Sequence, residues 1–228
     1  MILLRHIRKR LEKNATREVK KMKVNVTNNA SNVNVTVNQN DDGSFAILIV
    51  DKAKKKLSDL KPGDEFKLGD ETFIVLEHTN DGTRVIAKEF AFSNISFGDC
   101  NDWKKSKIRT KYLGQDYYEK ICKIVGKDNI IPMVRDLTSM DGLDDYGTCT
   151  DVVSLLTMAE YAKYHKILGV NIKYPDWWWL ITPYSTPSND YTRDVCCVSD
   201  DSSVDFDDCD GSSGVRPFLT LESSILVS

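Results

Sequence analysis

Cys196 and Cys197 stand side by side near the end of the chain, with Cys209 close behind. A thiol becomes a nucleophile only when a base or a positive charge favours its thiolate. The three histidines are His6, His78 and His165, so none lies in residues 166–228. GxSxG, HExxH, Walker and GxGxxG patterns are all absent from the sequence, which leaves no recognisable catalytic constellation. The cysteines therefore read as loop thiols without catalytic function, and the chain as a non-enzyme. The carboxylates come next. Asp205-Phe206-Asp207-Asp208-Cys209-Asp210-Gly211 groups the hard oxygen ligands that Ca²⁺ prefers, but the Glu that closes a calcium loop at its twelfth position is missing. Asp141-Gly142-Leu143-Asp144-Asp145 is a weaker match. Both read as solvated acidic loops, and no metal or cofactor is expected. The six cysteines show no CxxC spacing, so they form no zinc framework.

A compositional gap is more specific than any motif. From Leu180 to Leu221 the sequence contains no Lys, Glu, Gln, Trp or Met, although these five types make up 42 of the 228 residues. Loops favour Asp and Ser, but they favour Lys and Glu as well, so ordinary loop chemistry does not empty the window. Ser, Asn, Asp, Tyr, Thr, Arg, Val, Cys, Phe and Gly fill residues 188–213 instead. Tyr, Ser, Asn and Gly are residues that binding loops use, adaptable polar groups beside rigid aromatics.

These residues have to be held by something. With 41% hydrophobic and 29% charged residues the chain can bury a substantial core, and its net charge of −3 argues against general nucleic-acid binding. No apolar run reaches the ~18 residues of a membrane span, and the start of the chain does not read as a secretory signal. Charge is unevenly spread. Residues 1–23 carry nine Lys/Arg against two Glu, and residues 176–217 carry nine Asp against two Arg.

Leu4, Ile7, Leu11, Ala15, Val19 and Met22 recur at helical spacing, which predicts a basic amphipathic helix. Val24 and Val26, then Val33, Val35 and Val37, alternate with polar residues around Asn28–Ser31, which predicts a hairpin. Asn40–Ser44 sets the expected boundary between an N-terminal arm, 1–44, and the main domain, 45–228. An amphipathic helix with a small hairpin cannot make its own core, so residues 1–40 are expected to attach the chain or to join it to another copy as a homo-oligomer. Beyond the boundary the pattern is α+β. Ala46–Val50 is a strand, Lys52–Leu60 a short basic helix, and Glu65–Leu68, Thr72–Glu77 and Arg84–Glu89 a meander. Helix follows from Trp103 to Ile124, stopped near Gly126. A second helix opens at the capping box Thr157-Met158-Ala159-Glu160 and ends at Gly169. His165 on it reads as a surface histidine. Trp177–Ile181 and Val215–Leu221 are strands, with residues 184–213 between them as a long loop.

Trp178-Trp179-Leu180 with Thr182-Pro183, the polar loop, and then Gly214-Val215-Arg216-Pro217 with Leu219 resemble the closing segment of C-type-lectin-fold variable proteins of diversity-generating retroelements. These proteins occur in gut phages and bacteria. Trp103 with Ser106-Lys107-Ile108-Arg109, and Leu155-Leu156-Thr157 with Glu160-Tyr161, resemble other blocks of that domain, so the likeness covers about residues 60–222. In that family, mutagenesis directed at adenines acts on AAC and AAT codons. Changing the first two bases of AAC never gives Lys, Glu, Gln, Trp or Met, the five types missing here. Family members often carry Arg after Trp-Trp-Leu, where this chain has Ile181.

The resemblance implies a C-type-lectin-like domain that displays a changeable ligand-binding face. Its residues would be Tyr184, Asn189, Asp190, Tyr191, Arg193, Asp194, Cys196, Cys197, Ser199, Asp200, Asp205, Phe206, Asp207, Asp208, Cys209, Asp210 and Ser213, mostly exposed on one surface. The expected ligand is a protein or glycan on a cell or phage surface, without nucleic acid or membrane insertion. The expected location is a phage virion or bacterial surface, and otherwise the cytoplasm. The alternatives are a lectin-fold enzyme related to formylglycine-generating enzymes, a calcium-dependent carbohydrate binder with a fixed site, or a structural surface module with a merely solvated acidic loop. In all of them Trp178, Trp179, Val215 and Leu219 should be buried and Arg216 paired, because two strands flanking a tolerant loop must keep their register unaided.

Overall fold

The computed structural model describes residues 33–39, 44–51, 54–168 and 177–228, and the chain divides into two units, Met1–Lys52 and Ala53–Ser228. In the first, β1 (Val33–Gln39) pairs antiparallel with β2 (Phe45–Asp51), Val33 opposite Asp51 and Gln39 opposite Phe45. β2 thus belongs with β1, and the division falls at Lys52/Ala53 instead of at 44. Turn residues of the Asn/Asp/Gly type mark hairpin connections and domain boundaries alike, which is why the sequence pattern misplaces it. The amphipathic stripe of residues 1–23 and the turn expected at 28–31 lie outside the described residues, as does Gly169.

The second unit opens with β3 (Lys55–Lys56) and a 3₁₀ turn at Leu57–Asp59, where a basic helix was expected over 52–60. Tertiary pairing overrides helix propensity here: Leu57 is fully buried, and the Leu57 and Ser58 amides donate to the Ile225 and Ser223 carbonyls. The meander is as expected. β4 (Glu65–Leu68), β5 (Glu71–His78) and β6 (Thr83–Ala87) run antiparallel in sequence order. β7 (Phe92–Ile95) leaves that sheet for another.

The predicted helix of residues 103–125 is built in three pieces. Trp103–Lys105 is a 3₁₀ turn, Ile108–Tyr117 is wound as a π-helix, and α1 (Tyr118–Val125) is regular. Gly126 ends it at φ +82, a conformation that costs glycine nothing and other residues strain. Ile108, Leu113, Tyr117 and Ile121 are its buried face. Trp103 donates its indole N–H to Asp151 Oδ2 (2.7 Å), and Arg109 Nε donates to the other oxygen (2.7 Å), fixing this helical run to the strands that follow. Those are β8 (Ile130–Ile131), β9 (Met133–Asp136) and β10 (Thr148–Asp151). The capping box of α2 (Met158–Leu168) forms in full. Glu160 N–H donates to Thr157 Oγ1 (3.0 Å), and Thr157 N–H donates to Glu160 Oε2 (2.9 Å).

β11 (Trp178–Pro183) is buried along its whole length. The region after it, expected to be irregular over 184–213, contains a hairpin of β12 (Asp194–Val198) and β13 (Val204–Asp208). The expected last strand is two, β14 (Ser213–Val215) and β15 (Phe218–Leu221), before β16 (Leu226–Val227) returns to β3. Two five-stranded sheets result, ordered β13-β12-β11-β14-β7 and β4-β5-β6-β15-β8. The fold is α+β and mostly sheet. Alternation along the strands sends Trp179, Ile181, Val195, Cys197 and Val215 into one core with Trp103, Phe97 and the 108–121 helical face. Trp178, Leu180, Cys196 and Val198 go into a second core with Tyr161 and Tyr164 of α2. Gly214 lies where β14 passes the Phe90 ring, and a Cβ there would sit 2.5 Å from ring carbons.

Trp178, Trp179, Val215 and Leu219 are fully buried, and Arg216 Nε donates to the Ala87 carbonyl (2.7 Å) while its guanidinium lies over the Trp178 ring. Trp179 Nε1 donates to the Ile95 carbonyl (2.7 Å). Trp179→Ala should therefore lower stability by about 3–5 kcal/mol in denaturant unfolding. A loss under about 1 kcal/mol would mean that the aromatic strand does not carry the frame.

Candidate functional site

The segment after β11 is tied down by two aspartates from the connection between β9 and β10. Asp141 accepts from Ser139 Oγ (2.5 Å), Ser185 Oγ (2.6 Å) and Asn189 Nδ2 (3.0 Å). Asp145 accepts from Thr186 Oγ1, Ser188 N–H and Ser188 Oγ, each at 2.7 Å. Below them, buried Asn101 donates to the Ser185 (3.0 Å) and Asp194 (3.1 Å) carbonyls, accepts from Tyr146 O–H (2.7 Å), and donates its own amide to the Thr192 carbonyl. One side chain thus holds both ends of the 185–194 excursion. Without a regular ladder these backbone groups need such partners.

This anchoring sets Tyr184, Ser185, Asn189 and Tyr191 against Met140 and Asp141 around a cleft of about 310 Å³. Tyr184 packs on Tyr191 (ring centroids 5.7 Å apart) and on Phe206 of β13 (4.7 Å). Tyr191 O–H donates to Asp194 Oδ2 (2.5 Å), which pushes the phenol up to about 12 and keeps it neutral. Arg193 bridges Asp208 (2.6 Å) and Asp210 (2.8 Å). Phe206 and Met140 stay 44% and 50% exposed, so aromatic and thioether surface faces solvent beside carboxylates.

The family model for DUF6273, a domain of unknown function, matches residues 81–223, more than half of the chain. The chain belongs to the DUF6273 family. No curated protein and no solved structure matches it. Every residue of the cleft lies inside the matched DUF6273 region, whereas β4 and β5 precede it.

Within the DUF6273 domain the seventeen expected binding residues do not share one surface. Asn189, Asp190, Arg193, Asp200, Phe206 and Asp210 are exposed, and Tyr184, Tyr191, Asp194, Asp205, Asp207 and Asp208 are half-buried. Cys196, Cys197, Ser199, Cys209 and Ser213 are buried and form no part of an exposed face. The reason is that each face of β12 packs into one of the two cores, so Cys196 joins the Trp178 core and Cys197 the Trp179 core. Burial pushes the Cys196 thiol up to about 12, and burial with nearby Asp205 does the same for Cys197. Burial pushes Cys209 up to about 11. Thiols held protonated in this way are poor nucleophiles. The β12–β13 pairing divides the rest. Asp194, Phe206 and Asp208 share a face with Cys196, while Asp205 and Asp207 lie on the opposite one.

Asp141, Asp145, Asn101 and Tyr146 carry the cleft, and of these only the Asp141–Asp145 run stood out in the sequence, as a weak calcium loop. Its carboxylates accept hydrogen bonds from the chain itself. Among the described residues no three carboxylate, thiol or imidazole groups converge as metal ligands would. His78 bonds Thr83 Oγ1 and the Leu60 carbonyl, and His165 is exposed beside Tyr161, whereas His6 lies outside the described residues.

The Ser139, Ser185 and Asn189 donors hold Asp141 below its ordinary range, and the Thr186 and Ser188 donors do so for Asp145. A carboxyl depressed by folding stabilises the structure above its unfolded pKa and ceases to do so as pH falls through its folded value. The docking of residues 185–189 should therefore persist at neutral pH and loosen only below about pH 4. The Ser188 amide resonance in ¹H–¹⁵N spectra should titrate with a midpoint below that of an unfolded-chain aspartate, and Asp145→Asn should shift it already at neutral pH. An unmoved Ser188 signal in both experiments would contradict this anchoring.

Proposed function

We propose that this DUF6273 chain is a ligand-recognition display protein with a C-type-lectin-like frame, whose C-terminal hairpin region is diversified by adenine-directed retroelement mutagenesis. The absence of Lys, Glu, Gln, Trp and Met from Leu180–Leu221 carries the reading, because it is the set unreachable from AAC codons changed at their first two bases. The architecture is compatible with it. A fully buried β11 supports an excursion whose exposed residues hold few core contacts, the division of labour between scaffold and binding loops.

The changeable set is narrower than the sequence pattern suggests. Tyr184, Asn189 and Tyr191 line the cleft, Asp194, Phe206 and Asp208 share one face of the β12–β13 hairpin, and Asp190, Arg193 and Asp210 are exposed; these are the ligand residues of the proposal. Replacements at Cys196, Cys197 or Cys209 would instead alter the core. A calcium-dependent sugar site gains no support from Asp141 and Asp145, whose acceptor positions are largely filled by the chain's own donors.

The coding locus supplies the test. Beside it should lie a reverse-transcriptase gene and an adenine-rich near-copy of the segment encoding residues 180–221. Sequencing many isolates should show differences concentrated at positions where that copy has adenine. A locus without such a copy, with substitutions spread evenly over all 228 codons, would refute the proposal.

A further inference from the structure

We infer that the cleft receives the guanidinium of an arginine side chain presented by a protein partner; this rests on the ligand-recognition reading and names the chemistry of the ligand. Two tyrosines, Tyr184 and Tyr191, line the cleft, and the carboxylate of Asp141 sits in its wall. Ring faces attract cations, and a planar guanidinium stacks on them while bonding a carboxylate edge-on. A volume of about 310 Å³ is at the small end of ligand clefts and suits one long side chain.

Charge points the same way. Residues 184–211 contain eight Asp against the single Arg193, and residues 139–147 contain three Asp and no Lys or Arg. Arg193 is already spent on Asp208 and Asp210. The donors to Asp141 are the neutral groups of Ser139, Ser185 and Asn189, which keep the carboxylate ionised without cancelling its charge. Ser139 is the side-chain donor to Oδ1, whereas Ser185 and Asn189 both use Oδ2, so Oδ1 is the oxygen with fewer side-chain donors for a guanidinium to approach. Tyr191 O–H is turned to Asp194, so what that residue offers the cleft is its ring.

The surroundings favour a protein over a free small cation. Met140 (50% exposed), in the cleft wall, and Phe206 (44%), packed on Tyr184, put apolar surface beside an acidic cleft, the mixture of anchor pocket and apolar contact seen at protein interfaces. Arginine suits it better than lysine, because the ammonium is more strongly hydrated and lacks a face to stack.

Nuclear magnetic resonance titration of the full chain with N-acetyl-arginine amide tests this, with the citrulline and lysine counterparts and choline as comparators. The Tyr184 and Tyr191 ring signals should move saturably with arginine, and citrulline, which keeps the shape without the charge, should bind at least about tenfold more weakly. Lysine and choline should also bind more weakly, and added salt should weaken the arginine complex. Asp141→Asn should reduce the affinity about threefold or more while the Ser188 amide signal, fastened by Asp145, stays in place, and Tyr191→Phe, which keeps the ring, should bind nearly as the parent does. Equal binding of arginine and citrulline, tighter binding of choline or lysine, or no saturable shift up to about 50 mM would overturn the inference. The locus test reads out separately. An adenine-rich copy without arginine binding would leave the display reading standing and this inference refuted, and the reverse result would do the opposite.

Discussion

Everything in the main unit depends on β11 being covered on both faces. Trp179 and Ile181 enter one core and Trp178 and Leu180 the other, so a single strand ties the helical run of residues 103–125 to α2. Burying two indoles requires partners for their N–H groups and close packing around the rings. Ile95 gives a carbonyl to Trp179, and the Arg216 guanidinium covers Trp178. Met158 N–H donates to Thr182 Oγ1 and Ile181 N–H to the Leu156 carbonyl, so the start of α2 is fastened to the same strand.

That constraint passes outward to the strands beside it and stops where the hairpin meets solvent. β12 lies against β11 and has both faces covered. β13, at the sheet edge, is covered only in part. Edge strands that stay open invite pairing with other chains, and charged residues protect them. Asp205, Asp207 and Asp208 serve that end here. The 184–191 excursion is held by a different device, side-chain acceptors at Asp141, Asp145 and Asn101. Its outward residues Asn189 and Asp190 are exposed.

Much of the fold was legible because it rests on local signals. The meander follows from period-two alternation and turn residues, Gly126 stops α1, and Thr157 with Glu160 caps α2. The frame residues around the long loop were legible too, since Trp-Trp and Val-Arg-Pro blocks flank it. Other features depended on long-range contacts that no local pattern encodes. The β12–β13 hairpin has no clean alternation, because β12 is buried on both sides and reads as Asp-Val-Cys-Cys-Val. The cysteines looked like loop residues for the same reason. Leu57 gave no helix because the C-terminal segment captures its backbone. Asn101 meets the excursion from 84 residues away in sequence and is itself held by Tyr146, 45 residues from it, so their roles emerge only in three dimensions.

The central claim is that a fixed frame carries a replaceable face, and unfolding measurements on two variants test it most directly. In one, the exposed residues Asn189, Asp190, Arg193, Phe206 and Asp210 are all exchanged for Ser or Asn. In the other, only the buried Cys197 is changed, to Asn. Exposed exchanges usually stay within about 0.5 kcal/mol each, whereas an amide without partners in a packed core costs about 1–3 kcal/mol or more. The account predicts that the five-residue variant unfolds cooperatively within a few degrees of the parent, and that Cys197→Asn alone is the more destabilised of the two. Collapse of the five-residue variant beside an unaffected Cys197→Asn chain would contradict it.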